Sequence, residues 1–222
     1  MKWRKFKMAQ EVERKFLTTN YHLAVVRGDE IHPDYSQRRW LRCFGASTIS
    51  IAHLAQYYLD LRLERDRVVE EDRVRRKVSL SEEGQPTQIK FTRTTKKGFG
   101  LSREEIEEEI DQPEFEHLIQ STKFLAFRTG KPPQIHKIRT TAEIGSLTLE
   151  IDRYLGPELG GLCVTEIEFP DRNKALSFNT KEDIPSGILS QELDPVIFGN
   201  AQLALSGKIP EGIILPGYLR SA

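Results

Sequence analysis

Apolar and polar residues alternate with a period of two along much of the chain, the signature of strands with one face packed and the other wet. In Glu11-Val12-Glu13-Arg14-Lys15-Phe16-Leu17 the pattern is unusual. Two carboxylates and an ammonium fall at i, i+2 and i+4, while Val12, Arg14 and Phe16 take the opposite face. A face carrying two acids and a base cannot pack on an ordinary core, so it meets water, a metal ion or a charged ligand. Alternating or β-branched stretches predict strands over 11–18, 23–27, 73–80, 88–95, 135–142, 146–154, 162–169 and 174–179. Turn residues bound most of them, as in Gly84-Gln85-Pro86, Gly130-Lys131-Pro132-Pro133 and Pro170-Asp171-Arg172-Asn173. Residues 47–61 fit either a helix or a strand. Residues 113–121 open on Pro113 and carry Phe115, Leu118 and Ile119, which predicts a short helix. Glu104 to Gln120 reads by propensity as one acidic helix, with Ile106 and Ile110 at i, i+4. No internal repeat, low-complexity tract or linker divides the chain. Many short strands between turns predict an antiparallel sheet or barrel.

The charged faces recur. Arg73 and Arg75, Lys137 and Arg139, Glu150 and Asp152, and Glu166 and Glu168 are i, i+2 pairs, and Arg103, Glu105 and Glu107 share one parity. Any one such pair is most simply the solvated face of an amphipathic strand. Repeated on separate strands with both signs, they predict a sheet whose concave face is charged, with the apolar alternates turned outward against helices or loops. Buried guanidinium and ammonium groups need anionic partners, and paired arginines suit phosphate oxygens. The interleaved acids would repel a phosphate chain unless a hard divalent cation bridges them to it, which points to Mg²⁺ or Mn²⁺.

Composition narrows the alternatives. Lys+Arg and Asp+Glu are equal at 33 each in 222 residues, so bulk charge does not suggest sequence-independent nucleic-acid binding. Cys43 and Cys163 form no CxxC pair, as expected of a reducing cytoplasm. The basic segment Met1–Lys7 leads into Gln10-Glu11-Val12-Glu13 and not into an apolar stretch, so it does not read as a secretory signal, and no apolar run is long enough to span a bilayer. The histidines at 22, 32, 53, 117 and 136 lack HxxxH spacing. There is no GxxxxGK[ST] loop and no GxSxG elbow.

In order along the chain, the charged elements resemble the CYTH domain, or triphosphate tunnel metalloenzyme, superfamily. Its ExExK strand stands here as Glu11-Val12-Glu13-Arg14-Lys15. Then come Arg73-Val74-Arg75, Thr94-Thr95-Lys96 with Lys97 competing for the register, Arg103-Glu104-Glu105-Ile106-Glu107, Lys137-Ile138-Arg139, Asp152, Glu166-Ile167-Glu168, and Glu192 followed by Asn200. The likeness covers most of residues 9–206. It departs at Glu192-Leu193-Asp194, where the family has Glu-Val-Thr, and in the longer segment from Gly28 to Leu59, where Gln56-Tyr57-Tyr58-Leu59 is the suggestive match.

The resemblance implies an α+β fold, an antiparallel eight-stranded closed β-barrel with helices packed outside. It also implies that residues 103–110 are strand, with a helix after Pro113. It implies an N-terminal extension over 1–8, the tunnel domain over 9–206 and a tail over 207–222. Carried over by position, Lys15, Arg73, Arg75, Lys96, Arg103, Lys137 and Arg139 grip a triphosphate. Glu11, Glu13, Glu105, Glu107, Asp152, Glu166 and Glu168 face Mg²⁺ or Mn²⁺, and Glu11, Glu13, Lys15 and Glu168 form the catalytic set. The expected activity is metal-dependent hydrolysis of inorganic tripolyphosphate or of a nucleoside or thiamine triphosphate. An adenylate cyclase and a non-catalytic polyphosphate-binding module are the alternatives. The expected partner is the small-molecule substrate, with no nucleic acid and no membrane, and a homodimer is plausible.

Overall fold

The computed structural model describes residues 6–18, 25–27, 30–32, 38, 41–43, 45–98, 102–122, 132–184 and 188–213; for 6–11, 25–27, 30–32 and 102 the description is of the backbone alone. The Glu11 side chain, the start of the basic N-terminal segment, the end of the tail and parts of 28–59 lie outside the described residues.

The strands are β1 (Phe6–Thr18), β2 (Val25–Arg27), β3 (Glu30–His32), β4 (Ala46–Glu64), β5 (Arg67–Leu80), β6 (Pro86–Lys97), β7 (Ser102–Ile110), β8 (Gln134–Ile144), β9 (Leu147–Tyr154), β10 (Cys163–Glu168) and β11 (Leu189–Leu193). The helices are α1 (Gln112–Ser121), α2 (Arg172–Ser177) and α3 (Asn200–Ser206). Nine strands make one antiparallel sheet in the order β10-β9-β8-β4-β5-β6-β7-β1-β11, and β10 pairs in addition with β1; β2 and β3 form a separate two-stranded ribbon. The sheet thus has one strand more than the eight expected, because β11 adds to β1 beyond the point where β7 leaves it. β1 pairs with β7 through Phe6–Val12 and with β10 through Glu13–Leu17.

The ambiguous 47–61 stretch is the centre of β4, a strand of 19 residues. Its partner on one side is β5, reached through a tight turn in which Arg65 and Asp66 both have positive φ, 50° and 64°. Two such residues match the right-handed twist of the flanking strands. The acidic helix suggested by propensity over Glu104–Gln120 is broken at Ile110. Asp111 caps α1 by accepting the Glu114 amide at 2.9 Å, and Pro113 in the first turn fixes the helical φ, so the preceding residues extend as β7.

Residues 174–179 are a correction: the predicted strand is the helix α2 and its exit. Asp171 accepts the Lys174 amide at 2.9 Å, and the apolar pair Ala175 and Phe178 is spaced for one helical face; the local cap wins over the short apolar alternation. α2 packs with Phe16, Phe169 and Phe178 on the outer face of β1 and β10. α1 packs Phe115 on Val74 and Phe91. α3 lies at one end of the sheet, where Leu203 joins Leu17, Ile135, Tyr154 and Val164, and Ala201 meets Tyr58 and Leu61. No helix among the described residues is long and apolar enough to cross a membrane.

Candidate functional site

Strand parity turns the charged residues to one side. The inward face of β1 carries Glu13 and Lys15, that of β5 Glu71, Arg73 and Arg75, and that of β6 Thr94 and Lys96. Register then sets acid against base across neighbouring strands: Lys15 opposes Glu166, Lys96 opposes Glu105, and Arg139 opposes Asp152. The result is a cavity of about 280 Å³ lined by Glu13, Gln56, Glu71, Arg73, Arg75, Lys96, Arg103, Glu105, Glu107, Arg139, Glu150, Glu166, Glu168 and Asn200, with Val12 and Phe169 at its margin. Its wall is polar and charged, unlike the apolar lining of a typical small-molecule pocket.

The ion pairs are close and mostly withdrawn from water. Glu13 lies 3.0 Å from Lys15 and 2.7 Å from Arg103. Arg139 donates from Nε to Asp152 at 2.6 Å and from one terminal nitrogen to Glu166 at 2.8 Å, and it also pairs with Glu150. Arg75 meets Glu107 at 2.8 Å, Lys96 meets Glu105 at 2.9 Å, and Arg73 meets Glu71 at 3.2 Å. Lys15 also binds Glu166, and Lys137 binds Asp152. Asn200, at the start of α3, ties the deep end together: its Oδ1 accepts from Lys137 Nζ at 2.9 Å and from Tyr154 Oη at 2.7 Å, and its Nδ2 donates to Glu166 at 3.2 Å. Charges this deep stay ionised only because each is partnered.

The proton affinities follow from this packing. Burial disfavours the Lys15 ammonium, but Glu13 and Glu166 outweigh it and hold its pKa above the ordinary lysine range. Lys137 goes the other way. Burial and the neighbouring Arg139 guanidinium push it down to about 8, against the pull of Asp152 and Glu166. Burial also opposes ionisation of Glu166 and Glu105, yet Lys15, Lys137 and Arg139 around the first, and Lys96 and Arg73 around the second, hold both below the usual carboxylate range. Burial lowers the Arg75 guanidinium, helped by Arg73 alongside.

Of the residues expected from the sequence, Glu13, Arg73, Arg75, Lys96, Arg103, Glu105, Glu107, Arg139, Glu166 and Glu168 line the cavity together. Lys15, Lys137 and Asp152 lie just behind that lining, each at most 1 % exposed, and reach it through Glu166 and Arg139. Lys96 takes the inward position, and Lys97 is exposed. Glu192 stands outside: its carboxylate clasps Arg14 at 2.6 and 2.7 Å on the outer face of β1. Glu71, Glu150 and Gln56 line the cavity without having been singled out as site residues, although Glu71 and Glu150 share the parity of Arg73 and Asp152. The donors fit a hard divalent cation in kind, being ionised carboxylates interleaved with bases. Among the described residues, however, no three of them converge on one point as a metal nest.

Fold and cavity together define an antiparallel β protein with a two-signed polar cavity on the inner face of its sheet. No protein-family model matches the chain, and no curated protein matches it. Among solved structures it is similar to the inorganic triphosphatase NE1496, at 22 % identity over 93 % of this chain and 97 % of that one, with a TM-score of 0.47. It is also similar to a conserved hypothetical protein of Pyrococcus furiosus, at 20 % identity over 79 % of this chain and 94 % of that one, with a TM-score of 0.46. The PH1012 protein of Pyrococcus horikoshii OT3 matches at 18 % identity over 79 % of this chain and 94 % of that one, with a TM-score of 0.44.

Proposed function

We propose that the chain is a metal-dependent triphosphate hydrolase that works inside a closed tunnel formed by its main sheet. The observation that carries this reading is the cavity wall, where arginines and lysines from separate strands are each held against a carboxylate, so that basic groups can take a polyanion and acidic groups a cation at the same place. The added β1–β10 pairing supports the tunnel.

In this reading Arg73, Arg75, Arg103 and Arg139 take phosphate oxygens with their planar forks, and Lys96 adds a point charge. Lys15 and Lys137, wholly buried, hold Glu166 and Asp152 in place and carry positive potential to the deep end of the chain of phosphates. Mg²⁺ or Mn²⁺ held by Glu13, Glu105, Glu107, Asp152, Glu166 and Glu168, together with Glu11, would supply Lewis-acid stabilisation of phosphoryl oxygens and acidify the attacking water. Glu13 and Glu168 orient that water in line with the terminal phosphorus, which is the positioning that phosphoryl transfer requires of a protein. Glu13, Glu71, Arg73, Lys96 and Glu166 are buried, so their charges act at a lower effective dielectric than in water.

The test is a panel of tripolyphosphate, nucleoside triphosphates and thiamine triphosphate with Mg²⁺ and Mn²⁺, scored for orthophosphate, pyrophosphate and cyclic nucleotide. Orthophosphate release is expected, and Glu13→Gln should lower kcat by at least about a hundredfold while tripolyphosphate still binds. Absence of phosphate release from every triphosphate with either metal between about pH 7 and 9 sinks the hydrolase reading. Pyrophosphate with a cyclic nucleotide would establish the cyclase instead.

A further inference from the structure

We propose that the cavity continues toward the β5–β6 hairpin as a second anion subsite, formed by Lys77 and Lys90, which takes the fourth and later phosphates of a linear condensed phosphate. This rests on the triphosphate reading of the main cavity and names the substrate class it favours.

Lys77 lies on the face of β5 that carries Glu71, Arg73 and Arg75, one two-residue step beyond Arg75; Lys90 lies on the face of β6 that carries Thr94 and Lys96. The register sets the two lysines directly opposite each other. Like charges in that relation destabilise an antiparallel pair. The bases of the main cavity each meet a carboxylate, as Arg75 meets Glu107 at 2.8 Å and Lys96 meets Glu105 at 2.9 Å. Lys77 and Lys90 form no ion pair with a described residue. Glu109, opposite Thr92 on the next step inward, reaches neither of them. Glu150, whose charge Lys77 feels, is already held by Arg139. Partial burial lowers the proton affinity of Lys77, as do Arg75, Arg139 and Lys90 nearby, so this ammonium gains from any anion that settles beside it.

The direction of the extension follows from the other end. There α3 closes the sheet with Asn200 across Lys137 and Tyr154, and the gap left between β5 and α3 beside Gln202 is about 20 Å³. That is room for about one water and none for a phosphate. A chain longer than the main cavity therefore protrudes on the hairpin side. A two-residue step in a strand covers about 7 Å, so the lysines flank whatever emerges past Arg75. A neutral base or sugar gains nothing there, whereas a further phosphate meets two ammonium groups that have no ion pair among the described residues.

The experiment compares binding of tripolyphosphate and linear tetraphosphate at equilibrium, by titration calorimetry with Ca²⁺ as a hard cation of the same oxygen-ligand preference in place of Mg²⁺ or Mn²⁺, for the wild type, Lys77→Ala/Lys90→Ala and Lys77→Glu/Lys90→Glu, with far-ultraviolet dichroism confirming that each is folded. The wild type should favour the longer anion by about tenfold, the alanine pair should erase that ratio, and the glutamate pair should invert it. Equal affinity of the wild type for both anions, or an equal loss for both in the alanine pair, overturns the subsite. Binding of neither anion overturns the triphosphate reading of the main cavity along with it, and the two failures are thereby told apart.

Discussion

Cys163 shows how far a single position departs from its sequence-level expectation. Both thiols read alike in the sequence, but Cys43 is exposed and Cys163 is buried behind β9, where burial pushes its thiol up to about 12. Reaction with a disulfide reagent near pH 8 should therefore modify one thiol in the native protein and both in denaturant. Two fast-reacting native thiols would contradict this placement. The charged positions were far more legible than the cysteines, because parity on a strand is rigid: once Arg73 and Arg75 face inward, Glu71 must as well. Gln56 and Asn200 were harder. A neutral amide carries no charge pattern, and Asn200 acts from the first turn of a helix whose approach to Lys137 is a long-range contact.

At the scale of elements, Arg14 joins three pieces of chain on the outer face of β1. Its guanidinium clasps Glu192 of β11, donates to the carbonyls of Ala175 and Phe178 at 2.9 and 3.0 Å, and lies 5.3 and 5.4 Å from the ring centres of Phe16 and Phe178. Arg14→Ala should cost about 2 kcal/mol in urea unfolding and loosen α2 and β11 before the rest, visible as faster amide exchange there. An unchanged denaturation midpoint would show that these contacts are dispensable. The same cluster explains why Glu192, where the likeness to the family already departs, stands away from the cavity: pairing of β11 beside Phe16 turns it outward to Arg14. Period-two alternation located β8, β9 and β10 closely and β5 from Arg73 onward, since each has one dry and one charged face. β11 escaped because Ser190, Gln191 and Glu192 are all exposed and give no alternation to read. β4 was ambiguous because its Ala- and Leu-rich run suits a helix as well, and only two long partners fix it as a strand.

Over the whole molecule, two features set the response to pH and to ligand. His53 and His136, their rings 6.2 Å apart on the outer face of β4 and β8, are both held below the ordinary value of 6.5, His53 by burial with His136 and Arg76 nearby, His136 by burial. Their folded proton affinity is depressed, so the unfolded chain binds more protons: their contribution is complete above about pH 6.5 and is lost as the pH falls through that value toward the folded pKa values. Thermal midpoints should thus drop between about pH 7 and 5, and His53→Gln/His136→Gln should flatten that part of the profile. A double variant with the wild-type slope would contradict this origin. The second feature is the mutual pairing of acids and bases around the cavity. With its charges paired among themselves, the cavity wall behaves like a small crystal of salt that an incoming solute has to dissolve. On the proposed function a monovalent anion offers too little to break several contacts at once, whereas a polyanion arriving with its counter-cation would replace the whole set in one exchange. On that reading the interior has a threshold valence: chloride and acetate should leave the protein's thermal midpoint unchanged, and ions that carry many charges on one body should raise it.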